Sequence, residues 1–349
     1  MFSGKKIIGL DIGSSSIKMA EVLISRKGAE LLSFSFTPTP PNAISGGEIQ
    51  DAGSLGASIQ SALMELKSKR KYVGTAMWGT AVIVKKITIP RMDKKIIADQ
   101  LRFEAEQYIP FDISNVTLAH HLLKTTSSPE TMELILVAAQ NELISQYKNV
   151  IDNIGLRCGL LDVAGFALAN TFELNYGIVR NETVGVLNFG AAITNFVVLH
   201  DGEVLFCRDI PVGGQNYTNE ISKGLGVSLQ EAEALKLSAS EKKEVPDEVH
   251  SLISATNEAI TEEIKNSLEF LSATTNGLNL NRCYITGGAH VTPGLSETIQ
   301  RLLNFPVEVF NPFRKVKVNN KRFNQGYLQQ IKSFLPVVMG LALREVGDS

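Results

Sequence analysis

The sequence predicts an α/β fold in which two halves repeat one structural unit. The first observation is a run of three strand patterns near the N-terminus, joined by tight turns. The second is the return of the same run at residues 184–210. The third is a set of turns rich in small residues that follow apolar strands in both halves. A repeat of this kind indicates two related units.

The composition is that of an ordinary globular protein. The chain has 349 residues, 44% hydrophobic and 20% charged, which is enough for two domains with apolar cores. A net charge of −2 gives no overall electrostatic case for nucleic-acid binding. Cys158, Cys207 and Cys283 are odd in number and widely spaced, which argues against a disulfide framework or a zinc site and favours a reducing compartment.

The sequence has no membrane signal of its own. Residues 1–6 lead into a strand without the apolar stretch of a signal peptide. No apolar run approaches the ~20 residues that span a bilayer. The final residues, Arg344–Ser349, do not form an amphipathic anchor. We therefore expect a cytoplasmic protein that reaches a membrane only through partners.

The two repeats have the same order of strands and turns. When they are aligned, Asp11 matches Asn188 and Lys18 matches Asn195. Chance resemblance between two β-meanders is the alternative explanation, because short motifs are weak when taken alone. The predicted strands are Ile7–Ile12, Ile17–Ile24 and Leu31–Phe36 in the first repeat, and Val184–Phe189, Ile193–Leu199 and Glu203–Ile210 in the second.

Helix and strand patterns fill the rest of the chain. The order strand, helix, strand, helix at about 85–160 predicts an inserted α/β subdomain, with Asp93 as the N-cap of its first helix. We expect one domain over residues 1–175 and a second over 176–349, whose closing helix at about 330–345 packs back toward the first. The predicted helices are Ser54–Leu66, Lys94–Tyr108, Glu142–Ile154, Asp162–Leu174, Asn216–Gly224, Ser228–Leu237, Val249–Thr274, Leu295–Leu303 and Phe334–Arg344, and the further strands are Thr80–Ile89, Met132–Ala139 and Cys283–Ile285.

The turn at Asp11–Lys18 has the chemistry of a phosphate site. Its glycine and serines expose backbone N–H groups and hydroxyls, and small side chains let a polyphosphate approach closely. Asp11 could hold Mg²⁺ through water, because Mg²⁺ prefers oxygen ligands and retains several waters. Lys18 could neutralise phosphate charge. A plain β-turn with a solvated aspartate and lysine is the alternative.

A third turn of small residues, Thr286–Ala289, follows a strand in the second half. It lets the backbone pack against a flat base or ribose, and a simple tight turn is the alternative. The chain has neither GxGxxG nor GxxxxGK[ST], which argues against Rossmann and P-loop folds. Three such loops in this order resemble the superfamily of actin, sugar kinases and heat-shock chaperones, in which two phosphate hairpins and an adenosine loop surround ATP.

Several segments in the middle of the chain match a known pattern: Ile89–Met92, Phe103–Phe111, Val137–Ala139, Gly155–Leu156, Leu161–Val163, Phe166–Leu168, Pro211–Gly214 and Glu231–Lys236. In these segments the chain resembles the PilM family of type IV pilus assembly, and the resemblance extends from about residue 7 to about residue 344. It implies an actin-like (ribonuclease H-like) α/β fold of duplicated domains around a nucleotide cleft, with an inserted α/β subdomain, as in the division protein FtsA.

The resemblance implies a site for ATP or ADP with Mg²⁺. Asp11 would hold Mg²⁺ through water, and Asp11 and Asp162 are the catalytic candidates. Glu233 and Lys236 would flank the base and ribose, although a solvated helix pair is the alternative. The implied nucleotide-binding residues are Asp11, Gly13, Ser14, Ser15, Ser16, Lys18, Asn188, Gly190, Ala191, Ala192, Thr194, Gly213, Gly214, Glu233, Lys236, Gly287, Gly288 and Ala289.

Two departures from the superfamily predict weak or absent hydrolysis. The second hairpin has Asn188 where an aspartate is usual, so its hold on hydrated Mg²⁺ should be weaker. Asp162 and Val163 stand where a Gln or Glu usually orients the attacking water, and Asp162 is an uncertain substitute. Hydrolysis needs a positioned water and charge neutralisation. We therefore expect ATP to bind and close the two halves, with very slow or no turnover.

The PilM resemblance implies an ATP-controlled scaffold at the inner face of the inner membrane. Its implied partners are the cytoplasmic N-terminal peptide of a PilN-like membrane protein, bound beside the inserted subdomain, and other pilus platform and motor proteins. The sequence also leaves open whether the chain forms homo-oligomers. The alternatives are a membrane-associated, polymerising FtsA-type protein and a sugar-kinase-type enzyme, for which no catalytic aspartate motif is evident.

Three surface features have open interpretations. The helix Lys94–Tyr108 is a candidate wall of the partner groove, although its stripe of Ile97, Leu101 and Ala105 is the pattern expected of a core face. The basic stretches Lys67–Lys71 and Arg314–Arg322 are expected to be solvated, with contact to anionic lipid as the alternative.

Overall fold

The structure is a computed structural model that describes residues 5–93, 95–124, 128–275, 277–319 and 322–348. The predicted helix start at Lys94, residues Asn320 and Lys321 of the second basic stretch, and both chain ends lie outside these ranges. Within the described ranges the chain forms sixteen strands and ten α-helices. The strands are β1 (Ile8–Ile12), β2 (Ser16–Ser25), β3 (Gly28–Pro38), β4 (Ile44–Ser45), β5 (Glu48–Ile49), β6 (Tyr72–Met77), β7 (Val82–Pro90), β8 (Val116–Leu122), β9 (Thr131–Gln140), β10 (Arg157–Val163), β11 (Thr183–Phe189), β12 (Thr194–His200), β13 (Glu203–Ile210), β14 (Arg282–Thr286), β15 (Val307–Val309) and β16 (Val316–Val318). The helices are α1 (Ala52–Leu66), α2 (Ile97–Ala105), α3 (Asn141–Asn153), α4 (Ala164–Tyr176), α5 (Gly214–Leu225), α6 (Leu229–Ser240), α7 (Asp247–Thr274), α8 (Leu295–Leu303), α9 (Gln325–Ile331) and α10 (Leu335–Ala342).

Two sheets have the same topology. In the first, β1, β2 and β3 are antiparallel neighbours, β6 pairs parallel to β1, and β10 pairs parallel to β6. In the second, β11, β12 and β13 are antiparallel neighbours, β14 pairs parallel to β11, and β15 pairs parallel to β14. The predicted three-strand repeat is confirmed, and the repeated unit has five strands.

Several strands were not predicted. They are the interior strand β6, the sheet-edge strands β8, β10, β15 and β16, and the short pair β4 and β5. β16 crosses from the second half of the sequence to the first sheet, where Val316 lies opposite Ala29 of β3. β15 and β16 have three residues each, so alternation is too short to detect and pairing with a distant partner decides their conformation.

The start of α4 differs from the prediction. A helix was expected from Asp162, but α4 begins at Ala164. Asp162 and Val163 are the last residues of β10, which pairs parallel to β6. Asp and Val are both poor helix formers, and their parallel pairing with β6 holds them extended.

The start of α2 also differs. The helix was expected from Lys94 with Asp93 as its N-cap, but α2 begins at Ile97 and its N-cap, Ile96, makes no side-chain capping bond. Asp93 instead forms a turn before the helix: its Oδ1 accepts from the backbone N–H of Lys95 (2.9 Å) and its carbonyl from that of Ile96 (3.1 Å).

A third, three-stranded antiparallel sheet of β7, β9 and β8 packs against α2. The stripe of Ile97, Leu101 and Ala105 is buried in this core, as the core explanation predicted. Residues 141–160 were assigned by sequence to the same insertion. In the structure α3 packs against α1, with Tyr147 buried in the core of the first sheet, and β10 belongs to that sheet.

Two helices, α4 and α10, form the layer between the two large sheets. α4 packs on β12 and β13, α10 packs on β1 and β2, and the two helices contact each other closely. They meet at Gly340, where a Cβ atom would lie 1.7 Å from the backbone oxygen of Ala167. This crossing therefore requires glycine.

Two further sequence expectations concern membrane spans and cysteines. Among the described residues, no helix combines the length and apolarity needed to cross a bilayer. Cys158, Cys207 and Cys283 are all free thiols, as predicted.

Candidate functional site

The two predicted hairpins have the same backbone geometry. Asp11 pairs with Lys18 across β1 and β2, and Asn188 pairs with Asn195 across β11 and β12. In the first hairpin the N–H of Gly13 donates to the carbonyl three residues on (3.1 Å), and the corresponding bond in the second is 2.9 Å. The repeat therefore extends to the turns themselves.

Each turn is tight enough to require a small residue at its first position. A Cβ on Gly13 would lie 3.0 Å from the carbonyl oxygen of Ser16, and one on Gly190 would lie 2.7 Å from that of Ile193. The first turn is supported from behind by Thr39, whose hydroxyl donates to the Gly13 carbonyl (2.7 Å). Backbone and small side chains thus form the surface that each turn presents.

The side chains of the two hairpins differ in charge. Lys18 Nζ lies 3.0 Å from Asp11 Oδ2, and both side chains are mostly buried. At the matching place in the second hairpin, Asn188 Nδ2 donates to Asn195 Oδ1 (2.8 Å). An ion pair in one half is replaced by an amide pair in the other.

A buried carboxylate that sequence reasoning missed lies behind the amide pair. Asn195 Nδ2 donates to Asp209 Oδ1 (2.7 Å), and the backbone N–H of Gly79 donates to Asp209 Oδ2 (2.8 Å). Burial raises the pKa of Asp209, and the two N–H donors oppose that rise. Asp209 lies within the predicted strand Glu203–Ile210 and directly opposite Asn195 in the β12–β13 register, so working out the register of that predicted pair would have found it.

The loop after β6 contacts both hairpins. The indole N–H of Trp78 donates to the carbonyl of Ile12 beside the first turn (2.9 Å). The next residue, Gly79, donates to Asp209 beneath the second. This loop therefore connects the two sheets. Neither the loop nor β6 was predicted from the sequence.

The second hairpin rests on the start of α5. The N–H groups of Gly214 and Gln215 donate to the carbonyls of Gly190 (2.9 Å) and Ala191 (2.8 Å). A Cβ on Gly213 would lie 2.7 Å from both carbonyl oxygens. Gly213 and Gly214, both predicted site residues, thus allow the start of α5 to approach the backbone of the second hairpin closely.

The turn after β14 forms the next wall of the site. Gly287 has φ +90°, and a Cβ there would lie 2.3 Å from the carbonyl oxygen of Phe189. Its N–H donates to the carbonyl of Ser333 (3.1 Å). Gly288 packs against the Phe334 ring. This turn is thereby joined both to the second hairpin and to the segment that precedes α10.

Glu233 and Lys236 on α6 are not a solvated pair. Lys236 is buried, and its Nζ donates to the Gly214 carbonyl (3.1 Å), to the Thr218 hydroxyl (3.0 Å) and to Glu233 Oε2 (2.6 Å). Glu233 is partly exposed and also accepts from Thr218. Lys236 therefore fixes α6 to the start of α5, while Glu233 stays accessible.

These elements enclose a cleft of about 500 Å³. Its polar lining includes Asp11, Lys18 and the serines of the first hairpin. Its apolar lining includes Leu229, Leu237 and Val291, which are about half exposed. The predicted residues that line the cleft are Asp11, Gly13, Ser14, Ser15, Ser16, Lys18, Asn188, Gly190, Ala191, Gly214, Glu233, Lys236, Gly288 and Ala289.

Five predicted residues do not line the cleft. Gly213 and Gly287 support its walls through the close contacts given above. Thr194 is buried, and its hydroxyl donates to the Val212 carbonyl (2.7 Å). Ala192 follows the second turn. Asp162 is not part of the lining, and its carboxylate pairs with Arg344 (3.2 Å) and accepts from the N–H of Val163.

The Asp162 environment is that of a structural ion pair. Burial raises the pKa of Asp162, while the Val163 N–H and the Arg344 charge lower it. Arg344 follows α10, so the pair fixes the end of that helix to β10. Among the described residues, no group of three or more His, Cys, Asp or Glu side chains is arranged to hold a metal ion.

Comparisons with known proteins agree with this architecture. The sequence model of the family described as type IV pilus assembly protein PilM matches residues 9–346. The structure is similar to one described as the PilM-PilN type IV pilus biogenesis complex, with a TM-score of 0.88, 29% identity, and coverage of 98% of this chain and 99% of that one. Ethanolamine utilization protein EutJ from Carboxydothermus hydrogenoformans has the same fold, with a TM-score of 0.57, 15% identity and coverage of 97% and 89%.

A more distant relative is the cell division protein FtsA of Bacillus subtilis. It is 26% identical over 217 residues, which are 53% of this chain and 48% of FtsA. The match thus spans about half the length of that relative. The duplicated sheets, the cleft between them and the family match over nearly the whole chain lead to one conclusion: this chain has the actin-like fold and belongs to the type IV pilus assembly protein PilM family.

Proposed function

We propose that this chain is an ATP-binding scaffold of type IV pilus assembly that binds the N-terminal cytoplasmic peptide of a PilN-like membrane protein. The observation that carries the proposal is the pair of matched hairpins facing one cleft. The similarity to PilM in a PilM–PilN complex supports the choice of partner. Other pilus platform and motor proteins are further candidate partners, and contact with the inner membrane would come through them.

The residues of the cleft fit ATP with Mg²⁺. The volume lies in the range of small-molecule sites. The Gly13 and Gly190 turns carry glycine and other small residues at their tips, so a polyphosphate could approach their backbone N–H groups closely. Lys18 would neutralise phosphate charge, and Asp11 would bind the water shell of Mg²⁺. Leu229, Leu237 and Val291 would contact the base.

Bound ATP would act as a ligand that holds the two sheets together. One hairpin comes from each sheet, so only a closed cleft contacts the phosphates from both sides. A ligand that binds only this state stabilises it by about 2.7 kcal/mol at 100 times its Kd. Closure would in this way control the surface offered to the partner.

ATP hydrolysis is expected to be very slow or absent. Asn188 has no charge, and Asp162 is paired with Arg344 outside the cleft lining, which argues against Asp162 as the residue that orients an attacking water. The test is single-turnover hydrolysis of labelled ATP by the purified chain. We expect rates far below the enzyme median of about 10 s⁻¹. Turnover near that median, lost in Asp11→Ala, would contradict this.

Partner binding is tested with synthetic N-terminal peptides of inner-membrane proteins encoded beside this chain. We expect a PilN-like peptide to bind, with an affinity that differs between ATP-loaded and nucleotide-free protein. A scrambled peptide of the same composition is the control. If none of the peptides binds in either state, the scaffold role is wrong.

The similarity to FtsA makes a membrane-associated, polymerising protein the second candidate. Sedimentation with ATP and flotation with bare anionic vesicles distinguish the two. Filaments that pellet with ATP, together with binding to vesicles without any partner, would favour the FtsA-type function.

A further inference from the structure

A chain of three hydrogen bonds passes beneath the cleft from the loop after β6 to the second hairpin. The Gly79 N–H donates to Asp209 Oδ2. Asn195 Nδ2 donates to Asp209 Oδ1, and Asn188 Nδ2 donates to Asn195 Oδ1. We call these four residues the amide relay. Asn195 is buried and Asp209 is mostly buried, and of the four only Asn188 and Asn195 line the cleft.

The direction of the amide relay is set by its acceptor. A carboxylate has no proton to donate, so both oxygens of Asp209 can only accept. Asn195 must therefore turn its NH₂ group toward Asp209 and its oxygen toward Asn188. Asn188 must in turn direct its NH₂ group inward. The end of the Asn188 amide that remains for the cleft is Oδ1.

We propose that Asp209 is a positioning residue that, through Asn195, holds the Asn188 oxygen toward the cleft, where it accepts from the water shell of nucleotide-bound Mg²⁺. This rests on the proposed ATP site. An oxygen at this position favours a hydrated cation, whereas an NH₂ group would favour a phosphate oxygen. The carboxylate that the second hairpin lacks at residue 188 is thus present two strands away, and it acts through an amide.

One substitution should reverse the amide relay without breaking it. In Asp209→Asn, the new amide must still accept from Gly79, so its NH₂ group faces Asn195. Asn195 then turns its oxygen toward residue 209 and its NH₂ group toward Asn188. Asn188 is left with its own NH₂ group facing the cleft. Every hydrogen bond is retained, so the fold should persist.

A second substitution should restore the acceptor. In the double variant Asp209→Asn with Asn188→Asp, the inverted Asn195 donates to the new carboxylate at residue 188, whose other oxygen faces the cleft. A third variant, Asn195→Ala, keeps the Asp209 charge but removes the orienting contact. It separates the effect of orientation from that of charge. Asp201→Asn, at the exposed β12–β13 turn, is the matched control for loss of a carboxylate in this sheet.

The measurement is the ratio of the ATP dissociation constant in EDTA to that in Mg²⁺, by calorimetry, with the thermal midpoint checked for each variant. We expect Asp209→Asn and Asn195→Ala each to lower this ratio about tenfold, the scale of one hydrogen bond. The double variant should return to within about threefold of the wild type, and Asp201→Asn should not change.

The outcomes separate the two proposals. If the wild type binds ATP but Asp209→Asn keeps its Mg²⁺ ratio, or loses affinity equally with and without Mg²⁺, the positioning role is overturned while the ATP site stands. If Asp209→Asn lowers the ratio and Asn195→Ala does not, charge and not orientation is responsible, which also overturns it. If the wild type binds no ATP under either condition, the proposed function itself is wrong.

Discussion

Gly340→Ala is expected to lower the free energy of unfolding by about 3 kcal/mol, the upper part of the usual range for overpacking. The added Cβ would lie 1.7 Å from the carbonyl oxygen and 2.5 Å from the carbonyl carbon of Ala167. Both atoms belong to the backbone of α4, so no side-chain rotation can relieve the overlap. The helices α4 and α10 would have to separate, and they form the layer between the two sheets.

The chain offers a matched control in Gly53→Ala. Gly53 also lies inside a helix, α1, but a Cβ there would meet nothing closer than 3.5 Å. Alanine should therefore stabilise that helix, by about 0.5–1 kcal/mol. Urea unfolding followed by the fluorescence of Trp78, the single tryptophan and a buried one, measures both. Equal effects of the two substitutions would show that the crossing is not tight.

Separation of α4 and α10 should also change the geometry of the cleft wall. Phe334, directly before α10, packs against Gly288 in the cleft wall, and Ser333 accepts from the N–H of Gly287. A displaced α10 would carry this segment with it. We therefore expect Gly340→Ala to weaken ATP binding even under conditions in which most of the variant protein is folded.

Lys18→Gln is expected to weaken binding of ATP by about 10- to 100-fold. Hydrogen bonds between charged groups contribute roughly 1.5–3 kcal/mol, and each 1.4 kcal/mol is about tenfold in affinity. The loss has a second part, because Lys18 also neutralises Asp11 at 3.0 Å. Without the ammonium group, the Asp11 carboxylate would face the phosphates unpaired.

A double variant separates these two parts. Lys18→Gln with Asp11→Asn removes both charges, so affinity for ATP in EDTA should recover in part relative to Lys18→Gln alone. Lys223→Gln, an exposed lysine on α5, is the control and should leave affinity unchanged. Calorimetric titration measures the wild type and all three variants. If Lys18→Gln and Lys223→Gln behave alike, the first hairpin is not a phosphate site.

Most of the local structure was predictable because it depends on short-range patterns. The strands of the two meanders are short runs rich in apolar residues, and the turns between them contain glycine, so strands and hairpins followed directly. The match of Asp11 to Asn188 in sequence became a match of register in the structure. Cleft residues that lie on these turns were found for the same reason.

Residues that depend on distant partners were not predictable. Asp162 stood at the expected place along the chain, but its carboxylate faces Arg344, which comes 182 residues later. Gly79 follows a strand of the first sheet and Asp209 lies in the second, so no local pattern joins them. The sequence could not tell whether Lys236 is an exposed, solvated side chain. Its three acceptors, on Gly214, Thr218 and Glu233, are evident only in the structure.

The repeated unit, the positions of the phosphate-type turns and the resemblance to the PilM family could be read from the sequence, since each depends on neighbours a few residues apart. The edge strands, the ion pair between Asp162 and Arg344 and the amide relay beneath the second hairpin depend on long-range contacts. Strand pairing and buried hydrogen bonds are satisfied by whichever groups the fold brings together, and those groups lie far apart in the chain.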